Sequence, residues 1–206
     1  MELVITIIVC YFIGAIPSSY LLVKFFGKKN IFQEGSGNPG ALNSYESTDN
    51  KYIGTSVLLL DILKGIAAAY FAYSIAGNNY VPFLAGLIWV IIGNNYNIFF
   101  GLKGGRGLAV AAGAFGAASP YFVFTWLIMW LTSYFMIKKN VHVANAIALI
   151  AAPILVFSTA DAMLDISGIL TVGDKTALKI TYSLSCFVIL IRHFKPLREF
   201  ALKNNS

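Results

Sequence analysis

A polar, glycine-rich segment, EGSGNPGALNSYE at residues 34–46, interrupts a chain in which 58% of the residues are hydrophobic. Glycine permits positive φ angles and a close approach of the backbone to a ligand, and the segment contains Gly35, Gly37 and Gly40. Asn38 and Pro39 favour a turn. Successive amides in such a turn bind anions, and the Ser36 hydroxyl adds a donor beside them. The segment therefore predicts a phosphate-binding loop; the alternative is a flexible loop that holds no ligand.

A second polar cluster, LKGGRGLAVAAG at residues 102–113, places two cations around two glycines and directly before a predicted helix. The residues concerned are Lys103, Gly104, Gly105 and Arg106. Free amides and the positive dipole end of a helix N-terminus, together with two basic side chains, favour a phosphate group. The spacing differs from that of a nucleotide-binding P-loop, and no strand precedes it. The alternative is that the two cations only anchor the helix end among lipid headgroups.

Two ionisable residues lie inside an apolar segment, LLLDILKG at residues 58–65. Asp61 and Lys64 are three positions apart on one face of a helix, close enough to form an ion pair. Charges at membrane depth are costly and usually face the protein interior. The pair predicts either a structural clamp or a catalytic element, and the sequence does not decide between the two.

The chain has two histidines and two cysteines. His193 follows Arg192 at the end of the last apolar segment, on the same side of the membrane as both glycine-rich segments, and is the candidate for proton transfer. We expect His142 at the membrane interface. Cys10 and Cys186 lie in apolar segments and are expected as buried thiols rather than a disulfide. These residues offer no metal-ligand spacing, so we expect neither a metal nor another cofactor.

Helices that cross a membrane must position these polar groups. Only 12% of the residues are charged, against about 25% in an ordinary soluble domain, and the mean hydropathy is +0.73. A crossing helix needs roughly 20 mostly apolar residues. Seven spans are predicted on that scale, at residues 3–23, 53–76, 81–100, 108–119, 121–137, 143–158 and 177–191. The span at 108–119 is short enough to be re-entrant instead. We expect one all-α membrane domain over residues 1–206.

The distribution of charge predicts the orientation of this helical bundle. With seven spans and the N-terminus outside, the cytoplasmic segments contain twelve of the fifteen Lys and Arg residues, as the positive-inside rule requires. The opposite side carries Glu2, Asp161, Asp165 and Asp174. We therefore expect a multi-pass cell-membrane protein with its C-terminus and both glycine-rich segments in the cytoplasm. The same rule accounts for the net charge of +6, so no nucleic-acid partner is expected.

The three motifs together resemble those of the bacterial membrane acyltransferases that use acyl phosphate to acylate glycerol 3-phosphate. The family motif GSGNPGATN is similar to GSGNPGALN at residues 35–43, LLLDxLKG matches residues 58–65, and KGGKG resembles KGGRG at residues 103–107. The resemblance covers about residues 10–115. It implies a seven-helix enzyme of phospholipid biosynthesis whose site faces the cytoplasm. Acyl phosphate, glycerol 3-phosphate and membrane lipids would be its partners, and lysophosphatidic acid and phosphate its products.

The resemblance also implies a role for each motif. The residues implied to bind phosphate are Gly35, Ser36, Gly37, Asn38, Gly40, Asn43, Lys103, Gly104, Gly105 and Arg106. The residues implied to support the site are Asp61, Lys64 and Asn94. An acyl phosphate is already activated, so positioning and electrostatic stabilisation suffice without a protein nucleophile. Ser36 and Asn38 would act in catalysis together with His193. Either His193 or a phosphate of a substrate would take the proton of the acceptor hydroxyl.

The chain departs from the family pattern at five positions. They are Leu42 in place of Thr, Glu46 in place of Arg, Asn94 in place of His, Asn97 in place of Pro, and Pro196 in place of the Asn of H-R-E-N-I. Glu46 matters most, because a carboxylate near a phosphate adds repulsion. Two alternatives therefore stay open: the same fold acting on a different phosphorylated acceptor, and a non-enzymatic anion or lipid transporter.

Overall fold

The structure, a computed structural model, describes residues 1–77, 79–167, 170 and 173–203. Over these residues the chain is helical, which confirms the predicted all-α class. The helices are α1 (Glu2–Ala15), α2 (Ser18–Phe26), α3 (Ala41–Thr48), α4 (Lys51–Ala76), α5 (Tyr80–Asn95), α6 (Leu108–Ala118), α7 (Pro120–Ser133), α8 (Val141–Ser158), α9 (Ala162–Ser167) and α10 (Lys175–Lys203), with a 3-10 turn at Ile98–Phe100 and a π segment at Tyr134–Lys138. The chain packs as two compact units, Met1–Ala114 and Phe115–Ser206.

Six helical segments within the described ranges are long and apolar enough to cross a membrane. They are Glu2–Phe26, Lys51–Ala76, Tyr80–Phe100, Pro120–Ile137, Val141–Ser158 and Lys175–Phe200. The segment predicted as a span at residues 108–119 is the apolar helix α6, which has 11 residues. Such a helix rises about 16 Å, roughly half of a hydrocarbon core of about 30 Å. The structure thus supports a multi-pass membrane protein, and the seventh crossing stays a prediction.

Asparagine side chains fix where three of the apolar helices begin. Asn50, Asn79 and Asn140 precede α4, α5 and α8, and each accepts a hydrogen bond from the backbone amide two residues later, at 2.9, 3.1 and 2.9 Å. The first amides of a helix have no partner within it, and an asparagine oxygen at this position supplies one.

The first apolar segment forms two helices rather than one. α1 ends at Ala15 and α2 begins at Ser18, because Pro17 has no amide hydrogen to donate and its ring clashes with the preceding helical turn. The amide of Ser18 donates instead to Ile16 O at 3.0 Å. The predicted span at residues 3–23 therefore contains a break, where backbone carbonyls need new partners at membrane depth.

Close helix crossings pack the N-terminal unit. A Cβ added to Gly14 of α1 or to Gly93 of α5 would lie 2.0 Å from a backbone oxygen of the opposite helix. α4 and α6 meet in the same way at Gly65 and Gly113, where the corresponding distances are 2.1 and 2.0 Å. Small residues of this kind let membrane helices approach backbone to backbone. These crossings hold in place the ends of the helices that border the site.

The C-terminal unit has an aromatic core. The rings of Phe115, Phe122 and Tyr182 lie 4.7–5.5 Å apart between centroids, and the Tyr182 hydroxyl donates to Phe122 O at 3.2 Å. Helix α10 extends to Lys203, well past the predicted end at residue 191, and contains Pro196 within the helix.

Candidate active site

The break after α1 is closed by two polar side chains from other segments. Lys64 of α4 donates to Ile16 O at 2.9 Å and to Gly14 O at 3.4 Å. Asn97, which follows α5, donates to Ala15 O at 2.7 Å. A continuous helix would satisfy these carbonyls with its own amides, and a buried carbonyl without a partner is costly. The two side chains therefore stabilise the break.

Protein groups occupy the whole Lys64 ammonium. Besides the two carbonyls at the break, it pairs with Asp61 Oδ1 at 2.8 Å and lies 3.4 Å from Asn94 Oδ1. An ammonium has three hydrogens to donate, and four acceptors surround this one. The predicted ion pair is confirmed, and its surroundings favour the structural clamp over a direct role of Lys64 in chemistry.

Asp61 is bonded through one of its two oxygens. Its Oδ1 accepts a hydrogen bond from Ser18 Oγ at 2.5 Å as well as the ion pair from Lys64. Ser18 and Asp61 are 5% and 6% exposed. Among the described residues, no donor bonds the Oδ2 atom of Asp61. The first residue of α2 is thereby tied to the middle of α4.

A second serine connects α2 to the first glycine-rich segment. Ser44 Oγ donates to Gly40 O at 2.9 Å and lies 2.7 Å from Ser19 Oγ. Because Ser44 has a single hydroxyl hydrogen and gives it to Gly40, Ser19 donates the second bond. Ser19 and Ser44 are both buried, so this pair fixes the start of α3 against α2.

The first glycine-rich segment is folded largely by its own polar groups. Gly35 and Gly37 have φ angles of +53° and +66°, which glycine adopts readily. The amide of Ser36 donates to the buried Asn43 Oδ1 at 3.0 Å, and the amide of Gly37 donates to Glu34 O at 2.9 Å. The Asn43 amide group donates to Glu34 O at 3.1 Å. Together with the Gly40 amide, which donates to Asn38 O, three of the amides predicted to bind an anion are therefore engaged within the segment, and Asn43 braces it internally.

The side chains of this first segment lie at different depths. Ser36 is exposed and Asn38 is half-buried, and neither side chain has a hydrogen-bond partner in the described part of the chain. The amide of Gly40 donates to Asn38 O at 2.9 Å. Pro39 is the residue of this segment that reaches the pocket described below.

The second glycine-rich segment packs against the end of α5. The amide of Gly105 donates to Asn94 O at 2.9 Å, and a Cβ on Gly104 would lie 2.2 Å from that same oxygen. A Cβ on Gly105 would lie 3.2 Å from Pro39 O. Glycine is needed because the backbone is too close for a side chain. The two glycine-rich segments lie side by side, as the prediction of a shared site requires.

A pocket with an empty volume of about 290 Å³, part of it open to solvent, opens where these elements meet. It is lined by the helix break, by the Asp61–Lys64 pair, by the end of α5, and by Lys103 with its two following glycines. Lys103 is exposed, and its ammonium has no partner among residues 1–77, 79–167, 170 and 173–203. Because Lys64 is saturated, Lys103 is the lining cation that is available to an anion.

One side of the pocket is aromatic. The rings of Tyr20, Phe32 and Phe100 line it, with centroids 4.8–6.1 Å apart. The lining also contains the serines of α2 and the ion pair of α4. A pocket with both kinds of wall suits a ligand that combines an apolar part with a phosphate or hydroxyl part.

Comparison with known proteins decides the family. The sequence profile described as glycerol-3-phosphate acyltransferase matches residues 4–202. The chain is 32% identical over 207 residues to the glycerol-3-phosphate acyltransferase of Enterococcus faecalis, with 100% of this chain and 91% of that protein covered. This chain belongs to the glycerol-3-phosphate acyltransferase family. Membership favours an enzyme over the transporter that the sequence left open.

Other relatives of the acyltransferase family agree. The Lactiplantibacillus plantarum glycerol-3-phosphate acyltransferase is 40% identical over 136 residues, covering 65% of this chain and 64% of that protein. Crystal structures of PlsY (YgiH), described as an integral membrane glycerol 3-phosphate acyltransferase, are 25% identical. The glycerol 3-phosphate form has a TM-score of 0.80 over 98% of this chain and 94% of that chain, and the lysophosphatidic acid form 0.78 over 98% and 93%. The likeness extends beyond residues 10–115, where the motifs lie.

Two departures from the acyltransferase motifs are built into the bonding around the pocket. Asn94 holds Gly105 through its backbone oxygen and accepts from Lys64 through its side chain. Asn97 donates to Ala15 O and caps the 3-10 turn through Phe99 N at 3.0 Å. The Asn97 side chain therefore positions two backbone segments, whereas the Asn94 side chain contacts the side chains of Lys64 and Asn95.

The other three departures lie elsewhere. Leu42 and Glu46 are exposed on α3, neither lines the pocket, and no ion pair of Glu46 forms within the described residues. Pro196 is buried inside α10. The repulsion expected between Glu46 and a bound phosphate is thus weakened by solvent around the carboxylate.

His193, the predicted proton acceptor, is fully buried in the C-terminal unit. Its Nδ1 lies 3.0 Å from Ile189 O, and its Nε2 lies 3.5 Å from Asn145 Nδ2. A neutral imidazole protonated at Nδ1 satisfies both contacts, because Nδ1 then donates to the carbonyl and Nε2 accepts from the amide. In this arrangement the lone pair of Nε2 already accepts the hydrogen bond from Asn145.

The pocket contains six of the residues predicted from the sequence. They are Asp61, Lys64, Asn94, Lys103, Gly104 and Gly105. Arg106 is half-buried in the same turn and is not part of the lining. Ser18, Ser19 and Asn97 do line the pocket but were not singled out for the site. A signal was present, since a proline followed by two hydroxyl residues within an apolar segment indicates a helix break with polar groups beside it.

Proposed function

We propose that this chain transfers an acyl group from an acyl phosphate to the 1-hydroxyl of glycerol 3-phosphate, which forms lysophosphatidic acid and inorganic phosphate. The observation that carries the proposal is the pocket of the N-terminal unit, where Lys103, whose ammonium has no partner among the described residues, lies on a glycine turn before α6. The proposed acceptor and product agree with the descriptions of the two similar PlsY crystal structures, one of which is a glycerol 3-phosphate form and the other a lysophosphatidic acid form.

Lys103 is proposed to hold the phosphate of a substrate. The turn Lys103–Gly104–Gly105 lines the pocket, and its packing against the end of α5 presents Lys103 there. It leads within three residues to the start of α6, whose positive dipole end attracts an anion. Arg106 adds a second positive charge to the same turn. The open side chains of Ser36 and Asn38 are proposed to bind further phosphate oxygens from the neighbouring segment.

The proposed chemistry needs positioning more than it needs a reactive side chain. The acceptor hydroxyl attacks the acyl carbon, a carbon–oxygen bond forms, and the bond from that carbon to the phosphate oxygen breaks. The electron pair leaves with the phosphate, whose growing charge Lys103 stabilises. The hydroxyl proton passes to a phosphate oxygen of a substrate, and His193 as its acceptor stays a prediction from the sequence. Lys64 and Asp61 keep the helix break in place during this reaction.

We further propose that the site faces the cytoplasm, with seven crossings, the N-terminus outside and the C-terminus inside. The concentration of twelve of the fifteen basic residues in the segments that this topology makes cytoplasmic supports it. A reporter fused after Ser206 tests the orientation. Cytoplasmic reporter activity is expected, and an extracytoplasmic signal would contradict the proposed orientation.

The activity is tested with the purified full chain in lipid nanodiscs, a synthetic acyl phosphate and glycerol 3-phosphate. Phosphate release and lysophosphatidic acid formation, followed by mass spectrometry, are expected to rise together. Lys103→Ala should lower both, whereas Lys195→Ala, at a side chain that is 86% exposed in the C-terminal unit, should not. Phosphate release at the level of Lys103→Ala, or release without the lipid product, would overturn the proposal.

The role of His193 has a separate test. If Nε2 accepts the proton, His193→Ala should lower kcat by about 100-fold or more, the usual contribution of a general base. An unchanged kcat in a folded variant would assign the proton to the substrate phosphate instead.

A further inference from the structure

Three residues of the pocket lining present oxygen atoms that have no hydrogen to donate to a ligand. Ser18 donates its hydroxyl hydrogen to Asp61 at 2.5 Å. Ser19 donates its own to Ser44, because the hydrogen of Ser44 goes to Gly40. Asp61 is a carboxylate with Oδ2 unbonded by any described residue. We call Ser18, Ser19 and Asp61, all three of which line the pocket, the acceptor wall.

With Ser18 donating to Asp61 and Ser19 to Ser44, the acceptor wall receives hydrogen bonds and has no hydrogen left for a ligand. The nearest cation, Lys64, adds no donor, because its three hydrogens have four protein acceptors. A phosphate or a carbonyl facing this wall would place acceptor against acceptor and leave buried lone pairs unpaired. A hydroxyl group brings the hydrogen that each of these oxygens lacks. The wall therefore selects hydroxyl groups and disfavours both anions and carbonyls.

The acceptor wall and Lys103 are joined by a defined series of contacts. The turn after Lys103 is held by Asn94 through the Gly105 amide, and Asn94 contacts Lys64 through its side chain. Lys64 in turn pairs with Asp61 of the wall. The lining of one pocket thus includes a cation and acceptor oxygens that no other described residue bonds. A small molecule with a phosphate at one end and hydroxyls at the other matches this arrangement.

We propose that Ser18, Ser19 and Asp61 recognise the hydroxyl groups of the acyl acceptor and require a hydroxyl, not a carbonyl, at the carbon next to the acylated one. The inference rests on the proposed function and adds the residues that set its acceptor specificity. Glycerol 3-phosphate has such a hydroxyl at carbon 2. Dihydroxyacetone phosphate keeps the phosphate and the 1-hydroxyl but presents a carbonyl there. 3-Hydroxypropyl phosphate has only hydrogens at that carbon.

The wild-type chain in nanodiscs gives the first test. With a fixed synthetic acyl phosphate, kcat/KM is measured for the three acceptors. A site built to bind a substrate hydroxyl rejects analogues without it strongly, so glycerol 3-phosphate should exceed dihydroxyacetone phosphate by about 100-fold or more. 3-Hydroxypropyl phosphate should fall between them, because a missing hydrogen bond is less costly than opposed acceptors. Equal use of the three, or dihydroxyacetone phosphate ahead of the 3-hydroxypropyl compound, would overturn the inference.

Variants locate the specificity in the wall. Asp61→Asn replaces an acceptor by an amide that can donate, and should reduce the preference for glycerol 3-phosphate over dihydroxyacetone phosphate by about 10-fold. If loss of the Lys64 partner prevents folding of that variant, Ser18→Ala gives the same comparison with the ion pair intact. Matched controls are Ser74→Ala and Asp49→Asn, both at exposed positions outside the pocket, and these should leave the preference unchanged. A folded Ser18→Ala variant with equal losses for all acceptors would contradict the inference.

The inference and the proposed function fail in different ways. If the chain releases phosphate with all three acceptors equally, the acyl-transfer proposal stands and the acceptor wall is refuted. If no acceptor gives product, the acyl-transfer proposal fails. In that case, the rise in unfolding temperature that each acceptor causes without acyl phosphate still tests whether the acceptor wall recognises hydroxyl groups. Stabilisation in the order glycerol 3-phosphate, 3-hydroxypropyl phosphate, dihydroxyacetone phosphate supports the wall, and any other order refutes it.

Discussion

Two lysines border the same pocket, and their surroundings are opposite. Lys64 is 7% exposed and lies among an aspartate, an asparagine and two backbone carbonyls. Lys103 is exposed on a glycine turn, and its ammonium meets no acceptor within the described residues. Both carry the same charge into the same cavity. One nevertheless holds the protein together, whereas the other is left for a ligand.

The comparison shows that the role of a cation depends on the acceptors around it. A buried ammonium is tolerated only when its hydrogens are bonded, and those bonds remove it from ligand chemistry. An exposed ammonium costs little to keep unpaired, so it remains available. The predictions below test this division of roles.

The largest effect is expected at Lys64. Lys64→Met leaves the Asp61 carboxylate buried without its cation and frees the carbonyls at the helix break, which should destabilise the fold by about 3–5 kcal/mol. The measurement is thermal or denaturant unfolding in detergent. The double variant Asp61→Asn, Lys64→Met removes both charges and should recover a large part of the loss. An unchanged unfolding transition in the single variant would show that the clamp is not structural.

A substitution at Gly104 tests the role of Lys103, because Gly104 holds the turn that presents Lys103 to the pocket. In Gly104→Ala the new Cβ would lie 2.2 Å from Asn94 O, so the backbone must move and displace Lys103. Displacements on this scale cost about 100-fold in rate in other enzymes, and we expect a similar fall in kcat/KM. Gly101→Asn is the matched control. Its φ is +60° with nothing within 4 Å, and asparagine tolerates that conformation, so activity should persist.

Lys103 itself should affect activity without affecting the fold. Removing a charged hydrogen-bond partner of a bound phosphate should lower kcat/KM for glycerol 3-phosphate by about 10- to 100-fold. The unfolding temperature of Lys103→Ala should match that of the wild type, because the ammonium has no partner in the described part of the protein. A drop in unfolding temperature comparable to that of Lys64→Met would show that Lys103, like Lys64, stabilises the fold, and would contradict the division of roles between the two lysines.

The smallest effect is expected at Glu46, the departure that the motif comparison marked as most serious. Glu46→Arg adds positive charge on the exposed face of α3 without touching the pocket. Long-range attraction should raise kcat/KM by about 2- to 5-fold at low salt and less at physiological ionic strength, since salt screens such exposed charges. Rates at two salt concentrations check this. A gain that is independent of salt would indicate a direct contact instead.

Several features follow from the sequence because they depend on local chemistry. The apolar lengths predict membrane helices, and six of the seven predicted segments are long enough to cross a membrane in the described structure. The three-residue spacing of Asp61 and Lys64 predicts their ion pair, and the structure confirms it. The glycines at 35 and 37 predict the positive φ angles that are observed. Each of these depends on residues close together in the chain.

The tertiary structure decides what happens between distant residues. Pro17 by itself indicates a break, but only the packing of α4 and of the α5 end brings Lys64 and Asn97 to the carbonyls it frees. The amides of the first glycine-rich segment were expected to be open, and Asn43 is one of the groups that occupies them. Whether a polar atom serves the fold or a ligand depends on which partners packing brings to it. At the helix break those partners are up to 82 residues away in sequence. Local patterns specify which groups are polar, whereas packing alone determines which of them remain unbonded.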